Sequence, residues 1–249
     1  MHMNDLELRF GGLRRLYGAE GLQRLLQAGV CVVGLGGVGS WAAEALARSA
    51  VGRITLVDLD DVCVSNVNRQ LHALDGTIGR PKVEVMAERI RAIHPACEVR
   101  AVPEFFTAAT AEAILEIRFD WVLDAIDQVA NKCLLIACCR DKGIPVVSAG
   151  GAGGRRNPAA IQVADLAQTT HDALLQRVRK KLREDHGFSR DPKKPFGVPC
   201  VFSSEAPAAP AEGCAGRLNC DEGYGAASFV TGAVGLAAAG WIVSKIAAG

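Results

Sequence analysis

The stretch "VCVVGLGGVGSWAAEALARSA", residues 30–50, constrains the fold more than any other part of this sequence. A short apolar run from Val30 ends in Gly34, and Gly36 and Gly39 follow, with Gly37 between them. An unbroken apolar run of this length reads as a strand buried on both faces, as parallel sheets require. The alanine-rich segment Gly37–Ala50 reads as the helix that carries the chain back over the sheet. Glycine at these spacings lets a turn approach phosphate or ribose and leaves the helix N-terminus open to an anion. The strand-turn-helix context separates a nucleotide site from a chance cluster of glycines.

The rest of the first 150 residues repeats the alternation. "RITLVD" predicts a second strand closed by Asp58, at the distance where an acid meets a ribose hydroxyl. "GRPKVEVMAERIRAIHP" predicts a helix with Pro81 in its first turn and Pro95 at its end. "CEVRAVP", "WVLDAID" and "IPVVSAGG" predict strands, and Thr107–Ile117 and Val129–Lys142 predict helices. The predicted fold class is therefore α/β: a doubly wound, Rossmann-like, mostly parallel sheet with helices on both faces and a C-terminal extension. With 249 residues, 49% of them hydrophobic, the chain can bury one sizeable core. Beyond Gly150, "GAGGRRNPAAIQVADL" predicts a glycine-rich turn and one more strand. "PCVFSSEAPAAPAEGCAGRLNCDEGYGA" is rich in turn formers and reads as crossover loops.

Open parallel sheets bind ligands beyond the carboxyl ends of their strands. Asp58, the "SNVNRQ" segment (Ser65, Asn66, Asn68, Arg69) and Asp127 all fall just past predicted strand ends, so they converge on one crevice. Arg69 and Lys82 reach the same place. Two cations beside a carboxylate suit a triphosphate with a divalent metal. Arginine grips phosphate oxygens bidentately, lysine acts as a point charge, and Asp127 is a hard oxygen ligand for magnesium. The plainer alternative gives Lys82 to a helix cap and pairs Arg69 with Asp60 or Asp61. A nicotinamide-dependent oxidoreductase would use the glycine turn and Asp58 and leave Arg69, Lys82 and Asp127 idle.

Net charge is +1, so any nucleic-acid surface must be local. "QRVRKKLRED" supplies one candidate in Arg177, Arg179, Lys180, Lys181 and Arg183, with Arg190, Lys193 and Lys194 beyond it. This reads either as a solvated helix face or as a patch that contacts phosphates without reading sequence. Phe188 and Phe196 are the aromatics nearest it for base stacking. The nine cysteines form no C-x-x-C pair, which argues against a zinc site, and the polar start of the chain predicts reduced thiols in the cytoplasm. "AASFVTGAVGLAAAGWIVSKIAAG" predicts a buried C-terminal helix, although its length would also allow peripheral membrane contact.

"GLGGVGSWAAEALARSAVGRITLVDLDDVCVSNVNRQ", "GRPKVEVMAERI" and "VLDAIDQ" resemble the adenylating domain shared by ubiquitin-type activating enzymes and bacterial sulfur-carrier adenylyltransferases. "RFGGLRRLYG", "SAGGAGGRRNPAAIQVADLAQT", "CVFSSEAP" and "NCDEGYGAASFVTGAVG" are similar to the branch that dehydrates a threonylcarbamoylated adenosine of tRNA. The resemblance implies an ATP site at Gly37, Asp58, Ser65 to Arg69, Lys82, Asp127 and Gln128. Arg69 and Lys82 would hold phosphates and Asp127 the magnesium; relatives commonly carry Asn where this chain has Gln128. It implies tRNA, at the anticodon loop, as substrate and a homodimer in which an N-terminal arginine reaches the partner's site. Arg9 matches the start of that arm, Gly12 stands where many relatives carry the reaching arginine, and Arg14 and Arg15 are adjacent. It leaves room for a sulfurtransferase-type partner, for a monovalent cation ordering the loop after Gly150, and for a cysteine such as Cys220 in covalent chemistry. The zinc-binding cysteine pairs of the sulfur-carrier branch are missing. One domain is expected over residues 1–249: a nucleotide-binding core at 1–150 and a substrate-facing, dimerising portion at 151–249. The alternative activity is adenylation of a ubiquitin-like sulfur-carrier protein.

Overall fold

A computed structural model describes residues 3–191, 193–209 and 224–249, with the side chains of residues 3 and 4 excepted. Seven strands form one sheet: β1 Gly29–Val33, β2 Arg53–Val57, β3 Glu98–Val102, β4 Trp121–Asp124, β5 Val146–Ala149, β6 Ile161–Asp165 and β7 Pro199–Ser203. Their order is β3-β2-β1-β4-β5-β7-β6. Every neighbouring pair is parallel except β6 and β7. β1 sits between β2 and β4, so the winding reverses there, and its carboxyl end is the place where open sheets of this kind bind ligands.

Alternation along β1 divides the core. Val30 and Val32 face the helices α1 (Met3–Gln27), α2 (Gly39–Arg48), α3 (Lys82–Ile93) and α7 (Ser228–Ala248). Cys31 and Val33 face α4 (Ala111–Ile114), α5 (Val129–Asp141) and α6 (Ala173–Asp185). A strand with apolar residues on both faces must be covered on both, which is why the sequence shows an unbroken apolar run.

Two expectations fail. β7 lies within the stretch read as crossover loops. Its Cys200, Val201, Phe202 and Ser203 are all buried, and a five-residue strand flanked by turn formers carries no periodicity of its own. The helix expected over 107–117 shrinks to Ala111–Ile114. Thr110 Oγ1 donates to the Phe105 carbonyl at 2.6 Å and accepts from the Thr107 amide at 2.9 Å, so the threonine hydroxyl takes backbone groups that a longer helix would use.

α7 is long and apolar enough to span a membrane, yet 56% of its most apolar window is buried within the fold. It lies on α2 at close range: a Cβ on Gly235 would stand 2.4 Å from the Val38 carbonyl oxygen. Gly232 meets the Trp41 ring in the same contact.

Gly235→Val is therefore expected to push the two helices apart and destabilise the chain by about 1–3 kcal/mol in urea unfolding. Gly240→Ala, on the open side of α7, should be neutral or stabilising by up to about 1 kcal/mol. A second prediction concerns His72, which is buried with neither ring nitrogen partnered among the described residues. Burial, with Lys82 and Arg89 nearby, pushes its imidazole down to about 4. On acidification the unfolded chain takes up this proton at its ordinary pKa of about 6.5 and the folded chain does not. Stability should thus fall between about pH 6.5 and 4, by at most roughly 3 kcal/mol, and His72→Leu should flatten that part of the urea-unfolding profile.

Candidate active site

The glycine turn after β1 is held from three sides. Gly34 adopts φ +91°, and a Cβ there would stand 2.9 Å from the Ala125 carbonyl oxygen past β4. Gly39 is packed against Gly34 itself, with no room for any side chain. Gly36 faces open space. A Cβ on Gly37 would stand 3.0 Å from Thr231 Cγ2 and 3.4 Å from Arg69 Cγ. The turn thus lies against the β4 loop on one side and the Ser65–Arg69 segment on the other.

Asp58, past the end of β2, fixes the turn by hydrogen bonds. Its Oδ2 accepts from the Leu35 amide at 2.6 Å and its Oδ1 from the Asp60 amide at 2.9 Å. Burial raises the Asp58 carboxyl above the ordinary carboxylate range, while Lys82 and the two amides pull it back. Both oxygens keep lone-pair capacity for a hydroxyl.

Lys82 opens α3 directly after Pro81 and is 5% exposed. Its Nζ meets Asp60 Oδ2 at 2.9 Å, and Asp60 is itself half open to solvent. The ammonium therefore sits under a carboxylate at the rim, close enough to act on Asp58. Arg69 pairs with neither Asp60 nor Asp61. Its Nη1 donates to the Ser65 carbonyl at 2.7 Å and to Asn68 Oδ1 at 3.2 Å. Its carbonyl accepts from Trp41 Nε1 at 3.0 Å and from Thr231 Oγ1 at 3.3 Å, which pins the backbone that carries it. Asn66 is buried, and its Oδ1 accepts from the Cys63 amide. Asn68 Nδ2 donates to the Ala226 carbonyl at 2.9 Å.

Asp127 and Gln128 lie exposed past β4, with Gln128 at the N-cap of α5. Beneath them is a feature the sequence reading missed. Lys132 is fully buried and meets Asp124 Oδ2 at 2.9 Å. The same oxygen accepts from Ser148 Oγ at 2.7 Å, and Lys132 Nζ also donates to the Ile126 carbonyl at 3.0 Å. A buried ion pair with its remaining valences filled holds geometry more than it adds stability. Here it fixes the turn that presents Asp127. The signal was an acid ending an apolar strand and a lysine inside an apolar helix.

Among the described residues no cluster of three acids, histidines or cysteines could cage a metal. Magnesium shared with phosphates needs only one or two carboxylates, and the exposed Asp127 fits that demand. Asp58 bonds the glycine turn directly, Arg69 packs on it at Gly37, the loop after β4 packs on it at Gly34 through Ala125, and Lys82 is joined to it only through Asp60 and Asp58.

The basic helix is only partly free. Lys180 and Lys181 pair with Glu184 and Asp185, Arg179 bonds Thr169, and Arg183 donates to the Ser189 carbonyl. Phe188 is not a stacking surface: it is buried, with the Arg140 guanidinium 4.5 Å over its ring and Phe196 at 5.0 Å. Arg183 lies over Phe196. Arg9 is held within the same chain by Asp5 at 3.1 Å and the Ile93 carbonyl, and Arg14 by Glu7. Cys220 lies outside the described residues. Of the described cysteines only Cys63 is exposed.

The chain is 46% identical over 248 residues to a tRNA threonylcarbamoyladenosine dehydratase of Haemophilus influenzae, covering 98% of this chain and 95% of that one. It is 48% identical over 251 residues to the Escherichia coli protein of the same name, covering 96% and 94%. Among solved structures, the Escherichia coli tRNA N6-threonylcarbamoyladenosine dehydratase in complex with ATP matches with a TM-score of 0.92 at 46% identity, covering 100% of this chain and 97% of that one. The family model that matches residues 12–248 is that of the ThiF family, and the chain belongs to it.

Proposed function

We propose that this chain is an ATP-dependent enzyme that dehydrates, and so cyclises, N6-threonylcarbamoyladenosine in tRNA by first adenylating the threonine carboxylate. The observation that carries this reading is the end-to-end likeness to named dehydratases, one of them solved with ATP.

The chemistry follows from the leaving group. A carboxylate cannot expel oxide. Its oxygen attacks the α-phosphorus of ATP, pyrophosphate leaves, and a mixed anhydride with AMP forms. A carbamoyl atom of the same substituent then attacks the activated carbonyl carbon. AMP departs with the former carboxylate oxygen, one proton is lost, and a ring closes. The attacking group is intramolecular, so proximity supplies much of the rate and no protein nucleophile is needed.

The chain's own part is positioning and charge. Asp58 is placed to take the ribose hydroxyls. Arg69 holds phosphate oxygens with the guanidinium nitrogens it does not spend on Ser65 and Asn68. Lys82 supplies a buried positive charge that exchanges Asp60 for the phosphates. Magnesium, held by Asp127 with Gln128 beside it, would neutralise charge on the leaving pyrophosphate. A monovalent cation in the loop after Gly150 would have to share the Gly151 and Gly153 carbonyls, which Arg155 already engages.

The anticodon region of tRNA is the proposed partner, held in part by Arg177, Arg190, Lys193 and Lys194. Bacterial tRNA-modifying relatives support a cytoplasmic place. A second copy of the chain, rather than a membrane, is the proposed cover for the exposed apolar residues Phe229 and Leu236 of α7. Sedimentation that found only monomers would remove that partner.

Lys82→Ala should lower ATP–pyrophosphate exchange by about 10²–10³. A near-normal exchange rate would contradict the role given to the buried ammonium. Pyrophosphate release should depend on threonylcarbamoylated tRNA and weaken as salt rises. Release driven instead by a ubiquitin-like carrier protein would transfer the site to the alternative activity.

A further inference from the structure

We propose that Tyr224 is the surface on which the substrate's adenine stacks. This rests on the tRNA reading above and adds the residue that recognises the base. Phe188 and Phe196 are committed to their own packing, so the base needs another platform. Three large aromatics stand well exposed among the described residues: Phe105 at 47%, Tyr224 at 44% and Phe229 at 56%. Phe105 follows β3 on the Asp58 side of the crevice, where ATP's own nucleoside would lie. Phe229 belongs to the exposed side of α7.

Tyr224 is at the other end, beside the phosphate-holding segment. Two residues on, the Ala226 carbonyl accepts from Asn68 Nδ2 at 2.9 Å. Thr231, at the start of α7, donates to the Arg69 carbonyl. The Gly225 carbonyl accepts from the Gly154 amide at 2.7 Å, in the glycine-rich loop beyond β5. Residues 224–226 therefore bridge the Arg69 segment and that loop at the carboxyl edge of the sheet.

The ring is seated by glycines. A Cβ on Gly153 would stand 3.0 Å from Tyr224 Cβ, and one on Gly154 would stand 2.9 Å from Tyr224 Cδ1. Gly154 also holds φ +74°, so this loop lets the tyrosine lie against bare backbone while 44% of the residue stays exposed. The threonylcarbamoyl group is a short chain on the adenine ring. When its carboxylate reaches a phosphate held by Arg69, the attached base must rest within a few bonds, and Tyr224 is two residues from the Ala226 carbonyl that bonds Asn68, the neighbour of Arg69. An aromatic plane binds a splayed-out base by its π-face and leaves the base edges for other contacts.

The test is steady-state kinetics of tRNA dehydration by wild type, Tyr224→Ala, Tyr224→Leu and Tyr224→Phe, with ATP affinity measured separately in the absence of tRNA. Tyr224→Ala and Tyr224→Leu should raise the KM for tRNA about 5- to 100-fold, Tyr224→Phe should recover it to within about threefold, and ATP affinity should stay unchanged in all. A wild-type KM in Tyr224→Ala, full recovery by Leu, or a parallel loss of ATP affinity would overturn the stacking role. Each of these outcomes is read against active wild-type enzyme, so it leaves the dehydratase reading standing. Failure of wild type to dehydrate tRNA is the separate result that removes both.

Discussion

The two hydrogen bonds accepted by Asp58 are the interaction on which the crevice depends. One oxygen holds the Leu35 amide and the other the Asp60 amide, so a single carboxylate joins the glycine turn after β1 to the loop after β2. That tie adds to the packing of Gly37 on Arg69 and Thr231, and through Asp60 it joins the turn to Lys82. The bonds also compensate part of the cost of burying the carboxylate, which otherwise favours its neutral form. A residue that serves the fold in this way is already positioned, with lone pairs to spare, for a ligand hydroxyl.

The remaining walls are braced by polar groups placed beneath the reactive ones. Trp41 and Thr231 hold the Arg69 backbone. Asp124, Lys132 and Ser148 hold the loop that carries Asp127 and Gln128. A buried ammonium and a nearby guanidinium are costly to hold without partners. This structure lowers the cost by pairing Lys82 with Asp60 and turning Arg69 onto carbonyl and amide oxygens. These are partners that a phosphate can replace.

Much of this was legible along the chain. The glycine turn, β1, β2, α3 and the placing of Asp58 directly after β2 follow from local pattern and one topological rule, because each depends on residues close in sequence. The elements that escaped depend on distant ones. β7 becomes a strand only because β5 and β6 lie on either side of it. The bracing of Arg69 by Thr231 spans 162 positions. Lys132 finds its partner only when the strand ending in Asp124 is laid beneath its helix. Phe188 reads as an available ring until Arg140 and Phe196 close over it. Side-chain periodicity identifies the face a residue occupies but not the partner it meets there.

The central claim is that this crevice makes a carboxylate reactive by attaching AMP to it. The most direct measurement is the fate of a heavy oxygen isotope placed in the threonine carboxylate of the tRNA substrate. Adenylation predicts that one labelled oxygen leaves in AMP, in step with ring closure. Label recovered in inorganic phosphate, or in water with AMP unlabelled, would contradict it.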